Sequence, residues 1–269
     1  KPPKEVKTAL EEVYDKGYGK YGPAKGITEL RKALSKKERV DFENIMICPG
    51  ARFAVYLAIN TLLNPGDEII VIEPAWPAYK DCALNAGIKV RTIKTTLETK
   101  WEPSADQINN VINENTKMIV LNYPNNPTGK ILSGAENLIS EIMDIAHKHD
   151  LYVLSDDVYE GYSRCIVPSS KFLTYWRTDT SIIIKSFSKS HAMTGYRVGY
   201  VIAEPSIIEK MSKLQALSLT NVSEPIQYVA LQALKASKHG SYPTPENQKI
   251  IQSRLEALIK IAKDIGLEF

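Results

Sequence analysis

The chain has 269 residues, 43% of them hydrophobic, with 34 basic against 31 acidic side chains and a formal net charge of +3. This suits one large domain with part of a second and a full apolar core, and the near-balanced charge gives no basis for a nucleic-acid or membrane-surface partner. No apolar run reaches the length of a membrane helix, the N-terminal KPPKEVKTAL lacks a signal-peptide core, and Cys48, Cys82 and Cys165 are scattered and odd in number, which points to free thiols in a reducing, cytoplasmic setting without a metal site.

Lys1–Lys16 reads as a polar helix with Val6, Leu10 and Val13 on one side, broken by the glycine- and proline-rich Gly17–Pro23. Ile27–Leu34 resumes helical spacing. Asn44–Cys48 reads as a short strand that runs through Pro49-Gly50-Ala51 into a helix, Arg52–Leu63. A glycine at a strand-to-helix turn lets backbone N–H groups converge on an anion, although one glycine is weak evidence. Asn64–Asp67 is a turn, Glu68–Ile72 a strand, and Trp76 follows the strand's end. There it offers a large flat face to a planar ring, or packs as core or lid. Lys117–Leu121 is a strand ending in the octet Asn122–Gly129, whose prolines fix the backbone around asparagine donors. Ala135–His149 is an amphipathic helix. Leu151–Leu154 is a strand ending in Ser155-Asp156-Asp157-Val158-Tyr159. Two acids at a strand end are a solvated pair or part of a metal site, and no histidine or third carboxylate accompanies these.

Ile182–Ile184 reads as a buried strand that stops at Ser186, Ser188 and Lys189, and Val198–Ala203 as a following strand, a candidate antiparallel member of the sheet. This places Lys189 in a tight loop, with Arg197 eight residues on. A lysine flanked by hydroxyls attacks carbonyls once burial or a nearby cation lowers its pKa; standing alone it reads as a solvated surface lysine. Pro205–Leu219, Pro225–Ala236 and Pro243–Ile265 read as helices. The apolar runs 69–72, 118–121, 151–154 and 182–184 each end in these polar residues and are mostly separated by helical patterns. That is an α/β fold with a mainly parallel sheet and helices on both faces, in which ligands bind beyond the strands' carboxyl ends. Trp76, Asn126, Asp156 and Lys189 therefore converge.

Ser186-Phe187-Ser188-Lys189 followed by Met193-Thr194-Gly195-Tyr196-Arg197-Val198-Gly199, together with Asn126-Pro127-Thr128-Gly129, Asp156-x-x-Tyr159 and Tyr21–Arg31, resembles the class I/II aminotransferases. These are fold type I enzymes that use pyridoxal 5′-phosphate (PLP), and the likeness runs from about Tyr18 to the chain's end. The resemblance implies that Lys189 is the Schiff-base lysine and the proton carrier. It places Asp156 on the pyridine nitrogen, Tyr159 and Asn126 on the 3′-oxygen and Trp76 on the ring face. Gly50, Ala51 and Arg52, with Ser186, Ser188 and Arg197, would hold the phosphate. Tyr21 would reach the phosphate of a neighbouring subunit in a homodimer with composite sites, the alternative being a loop aromatic packed on its own domain. An ionised carboxylate about 4 Å from the ring nitrogen is worth roughly 4 kcal/mol at an effective dielectric near 20, enough to keep a pyridinium protonated across neutral pH.

Aspartate aminotransferases of this family carry a basic residue that meets the substrate's distal carboxylate where Arg52 stands. This implies aspartate or glutamate as donor and 2-oxoglutarate as acceptor, unless Arg52 points to solvent or serves the phosphate through its backbone alone. Residues 1–40 are expected to form a helical lead-in, 41–240 the PLP-binding large domain and 241–269 a connecting helix. Family members are considerably longer, so the small C-terminal domain is expected to be absent or truncated, along with an N-terminal arm and the arginine that grips the substrate α-carboxylate; Arg254 does not match it. The rival readings are another PLP reaction on this fold, such as a β-lyase or decarboxylase, and a non-enzymatic PLP-binding regulatory module.

Overall fold

The computed structural model describes residues 2–132, 136–163, 179–236 and 245–267. In chain order the elements are α1 (Lys4–Asp15), α2 (Thr28–Glu38), β1 (Ile45–Cys48), α3 (Ala51–Leu62), β2 (Glu68–Glu73), α4 (Ala78–Asn85), β3 (Lys89–Lys94), α5 (Ala105–Val111), β4 (Thr116–Leu121), α6 (Glu136–Lys148), β5 (Tyr152–Asp156), α7 (Glu160–Ser163), β6 (Ser181–Ser186), α8 (Phe187–Ser190), β7 (Gly199–Ile202), α9 (Pro205–Leu219), α10 (Glu224–Ala236) and α11 (Pro245–Asp264). The strands form one sheet in the order β1-β7-β6-β5-β4-β2-β3. β7 runs antiparallel to both its neighbours, and the other pairings are parallel.

Alternation along each strand sorts side chains between two cores. Ile70, Ile119, Leu121, Val153 and Ile183 face one way, packing with Val6 and Val13 of α1, Leu30 and Leu34 of α2, and Ile142 of α6. Ile69, Val71, Met118, Val120, Leu154 and Ile184 face the other, against Leu57 of α3, Ala83 of α4 and Ile208 of α9. Helices thus cover both faces of a mainly parallel sheet, as the strand and helix pattern implies.

Two local expectations are corrected, and two elements are added. Asn44 lies in a 3₁₀ turn, Phe42–Asn44, held by the Asp41 side chain, so the first strand starts one residue later. Lys189 stands on a single helical turn, α8, in place of a plain loop, because the Ser186 side chain accepts from Ser188 N at 3.0 Å and caps it. β3 and α5 complete the stretch between Tyr79 and Lys117. β3 is an edge strand with an exposed lysine at each end, Lys89 and Lys94, and α5 is announced by a Ser104/Gln107 capping box. Ala135, Cys165 and residues 243–244 lie outside the described residues; Cys48 and Cys82 are free thiols.

Candidate active site

The carboxyl ends of β2, β4, β5 and β6 open onto a cleft of about 340 Å³, within the range of small-molecule sites. β5 carries Asp156 to its floor, where the residue is 4% exposed. Each carboxylate oxygen has a donor: Tyr79 OH at 2.6 Å on Oδ2 and Val158 N at 3.2 Å on Oδ1. Burial pushes the Asp156 carboxyl up to about 6, while these two bonds pull it back. Burial and the facing carboxylate hold the Tyr79 phenol well above its usual value. The proton between the pair therefore stays on Tyr79, leaving Asp156 as the acceptor.

The octet after β4 closes on itself. Asn122 Nδ2 donates to Asp156 O at 3.0 Å, and Asn122 Oδ1 accepts from Asn126 N at 2.9 Å. Asn125 Oδ1 accepts from Thr128 N at 3.1 Å and Oγ1 at 2.8 Å, and its Nδ2 donates to Pro74 O at 3.2 Å. One asparagine thus ties Asn126 to the Asp156 strand, and the next ties the loop to the segment carrying Trp76.

At the opposite wall α8 brings Lys189 into the cleft, its Nζ 5.7 Å from the Tyr159 ring centroid. The third side of the cleft is built for an anion. Gly50 (φ 88°) precedes the N-terminus of α3, which points its unpaired N–H groups into the same space as Ser186, Ser188 and Arg197. Arg197, itself at φ 54°, donates to Thr194 O at 2.7 Å and Pro49 O at 3.4 Å. A Cβ on Gly50 would lie 2.5 Å from the Arg197 guanidinium, and one on Gly199 2.8 Å from Lys185 O and 3.2 Å from Ala51 N. Both glycines permit the close approach that forms this corner.

Trp76 lines the cleft, edge-on to Tyr79 at 5.4 Å, and the Arg52 guanidinium stands 4.7 Å above the Trp76 ring. Ala51, Arg52, Trp76, Asn126, Asp156, Tyr159, Ser186, Ser188, Lys189 and Arg197 therefore share one cleft. Gly50 shapes it from behind. Tyr21 does not join it; its side chain is 88% exposed. Tyr79, Asn122, Val158 and Thr194 also line the cleft and were not among the sequence candidates. Tyr79 sits three residues after Trp76 at the start of α4, a spacing that places two aromatics side by side, and that was the available signal. An anion corner, a buried carboxylate and an amine around one space suit a phosphorylated pyridine carrying a carbonyl, so the residues present fit PLP.

The Asp156 environment has a signed consequence for the cofactor-free protein. A buried carboxyl with a raised pKa binds more protons folded than unfolded, so its contribution to stability falls as pH rises from about 4 to about 6. Burial acts oppositely on His191, which it pushes down to about 3, so the test is differential. Asp156→Asn is expected to stabilise the cofactor-free protein above pH 6, by up to about 3 kcal/mol, with the gain vanishing near pH 4. Paired thermal melts across that range check it; a pH-independent difference would contradict it.

The family model of aminotransferase class I and II matches residues 1–269. The chain is similar to the aspartate aminotransferase of Pyrococcus horikoshii, at 35% identity over 98% of this chain and 70% of that protein. It is 32% identical to aromatic-amino-acid aminotransferase 2 of Thermococcus litoralis over 98% of this chain and 69% of that one. Its fold superposes on the Thermus thermophilus aspartate aminotransferase solved with maleate at a TM-score of 0.92, with 27% identity, covering 99% of this chain and 70% of the other. The chain belongs to the class I and II aminotransferases, a family of PLP-dependent transaminases.

Proposed function

We propose that this chain carries the cofactor site of an aminotransferase that moves an amino group from a dicarboxylic amino acid, aspartate or glutamate, to a 2-oxo acid such as 2-oxoglutarate. The observation that carries the reading is the convergence of the Lys189 amine, the buried Asp156 carboxylate and the anion corner on one cleft. PLP, when bound, supplies an electrophilic carbonyl and an electron-withdrawing ring that acidifies the substrate Cα–H.

The chain's residues divide the remaining work. Ser186, Ser188, Arg197 and the α3 N-terminus at Gly50–Arg52 hold the phosphate, the planar guanidinium suiting two of its oxygens. With the cofactor bound, Asp156 would serve the ring nitrogen, Asn126 and Tyr159 the 3′-oxygen, and Trp76 one ring face. Lys189 would carry the proton between the substrate Cα and the cofactor's C4′, two atoms apart, a role that requires one base within reach of both. Tyr159 stands beside that amine, its ring centroid 5.7 Å from Lys189 Nζ.

Substrate choice turns on Arg52. Its guanidinium stands at the cleft mouth over Trp76, placed to meet a second carboxylate with its planar fork. The maleate held by the Thermus relative is a dicarboxylate, which supports this choice. Broad donor use is the second reading, favoured by the aromatic-amino-acid relative. A homodimer goes with the transaminase reading. Tyr21 is exposed, yet its loop is fixed by Glu224 Oε2, which accepts from Gly19 N at 3.2 Å and Lys20 N at 3.0 Å, and by Gln215, which donates to Ala24 O at 2.7 Å. Such a loop is prepared to enter a second copy's site. A native mass of one chain for the active species would end that part. A cytoplasmic location accords with the free Cys48 and Cys82, and among the described residues no helix is long and apolar enough to cross a membrane.

Borohydride reduction of the PLP-loaded protein followed by peptide mapping is expected to leave the pyridoxyl group on Lys189; labelling of another lysine would overturn the assignment. Arg52→Leu is expected to lower kcat/KM for aspartate roughly ten- to a hundredfold, the worth of one charged hydrogen bond, with aromatic donors nearly unchanged. An equal loss for all donors would assign Arg52 to the cofactor.

A further inference from the structure

Behind the cleft lies a buried ionic cluster that none of the steps above uses. Lys185 stands on β6 four residues before Lys189 and is 4% exposed. Ile182 and Ile184 face the α3 side of the sheet, so Lys185 points with Ile183 to the other side. Its Nζ donates to Glu38 Oε2 at 2.8 Å and to Glu160 Oε2 at 2.7 Å. Tyr200, its cross-strand partner on β7, donates to Glu38 Oε1 at 2.7 Å. Lys37 donates to that same oxygen at 2.7 Å and to the Tyr200 hydroxyl at 3.2 Å. Asp157 faces the cluster from β5's end and takes a bond from Ser155 Oγ at 2.7 Å. Burial works to lower the Lys185 pKa, but Glu38, Glu160 and Asp157 outweigh it and the lysine stays charged.

A buried ion cluster is a poor device for stability alone, since well-packed apolar side chains do as well or better. What it supplies is fixed geometry, and here it fixes the segment that carries Tyr159. That segment leaves β5 with Asp157 N donating to Ile184 O at 2.9 Å, and Glu160, the residue after Tyr159, is bound by Lys185. Both ends of the turn are thus anchored to β6, the strand that delivers Lys189. We propose that Lys185 is a positioning residue for the transamination site, setting Tyr159 against Lys189 through its bond to Glu160. The inference rests on the transaminase reading. The bond to Glu38 leads to α2, away from Tyr159, and provides the control.

The test titrates the visible absorbance band of the PLP-loaded wild type, Lys185→Met, Glu160→Gln and Glu38→Gln against pH, with Tm measured alongside. Lys185→Met and Glu160→Gln are expected to move the midpoint by about half a pH unit or more, because a displaced Tyr159 changes what the Lys189 nitrogen faces. Glu38→Gln is expected to lower Tm and leave the midpoint in place. If all three lower Tm and none moves the midpoint, or if Glu38→Gln moves it as far as Glu160→Gln, the cluster only holds the fold and the proposal is overturned. A wild type with no band reducible onto Lys189 overturns the transaminase reading and this inference with it; a normal band with unmoved midpoints overturns this inference alone. If Lys185→Met does not fold, Glu160→Gln carries the test.

Discussion

The candidate site depends on keeping one carboxylate, Asp156, charged while it is only 4% exposed on the cleft floor. Burial by itself favours the neutral acid, and the cleft counters this with the Tyr79 hydroxyl on one oxygen and the Val158 N–H on the other. Above about pH 6 the carboxyl is left ionised, at the floor of the cleft. A cation placed against it would be stabilised far more than in water, because the surrounding medium has a low dielectric. The rest of the site follows from where this carboxylate sits. The amine of Lys189 stands across the cleft from the floor, and the anion corner closes the third side.

Sheet topology makes this arrangement possible at low conformational cost. β2, β4, β5 and β6 run parallel, so their carboxyl ends deliver Trp76, the asparagine octet, Asp156 and Lys189 to the same edge. β7 runs the other way and brings Arg197 back to that edge at its start, with Gly199 pressed against the turn before α3. Side-chain to backbone bonds, from Asn122 and Asn125 in particular, then fix loops that strand pairing alone would leave adjustable. The precision of the site therefore comes from rigid elements and from asparagines that act as local staples.

Much of this was legible in the sequence, for a physical reason. Runs such as Ile69–Ile72 and Ile182–Ile184 are buried on both faces, so they read as continuous apolar stretches, and each stops where function begins. The turn chemistry of Asn122–Gly129 and the hydroxyl-rich Ser186–Ser190 stood out because polar residues at strand ends have few structural uses in such number. What stayed hidden depends on contacts between distant residues. Tyr79 looked like one aromatic among many until Asp156 faced it. Lys185 directly follows a run of isoleucines, and its partners Glu38 and Glu160 come from other elements. β3 escaped notice because an edge strand with exposed lysines lacks the apolar run that marks a central one.

The most direct test of the account is the protonation state of the ring nitrogen of ¹⁵N-labelled PLP bound to the protein, read by NMR. With Asp156 ionised at the cleft floor, the nitrogen is expected to stay protonated from about pH 6 to about pH 9 in the wild type and to lose that proton in Asp156→Asn. A neutral nitrogen in the wild type, or the same protonation in both proteins, would contradict the claim that this buried carboxylate organises the site.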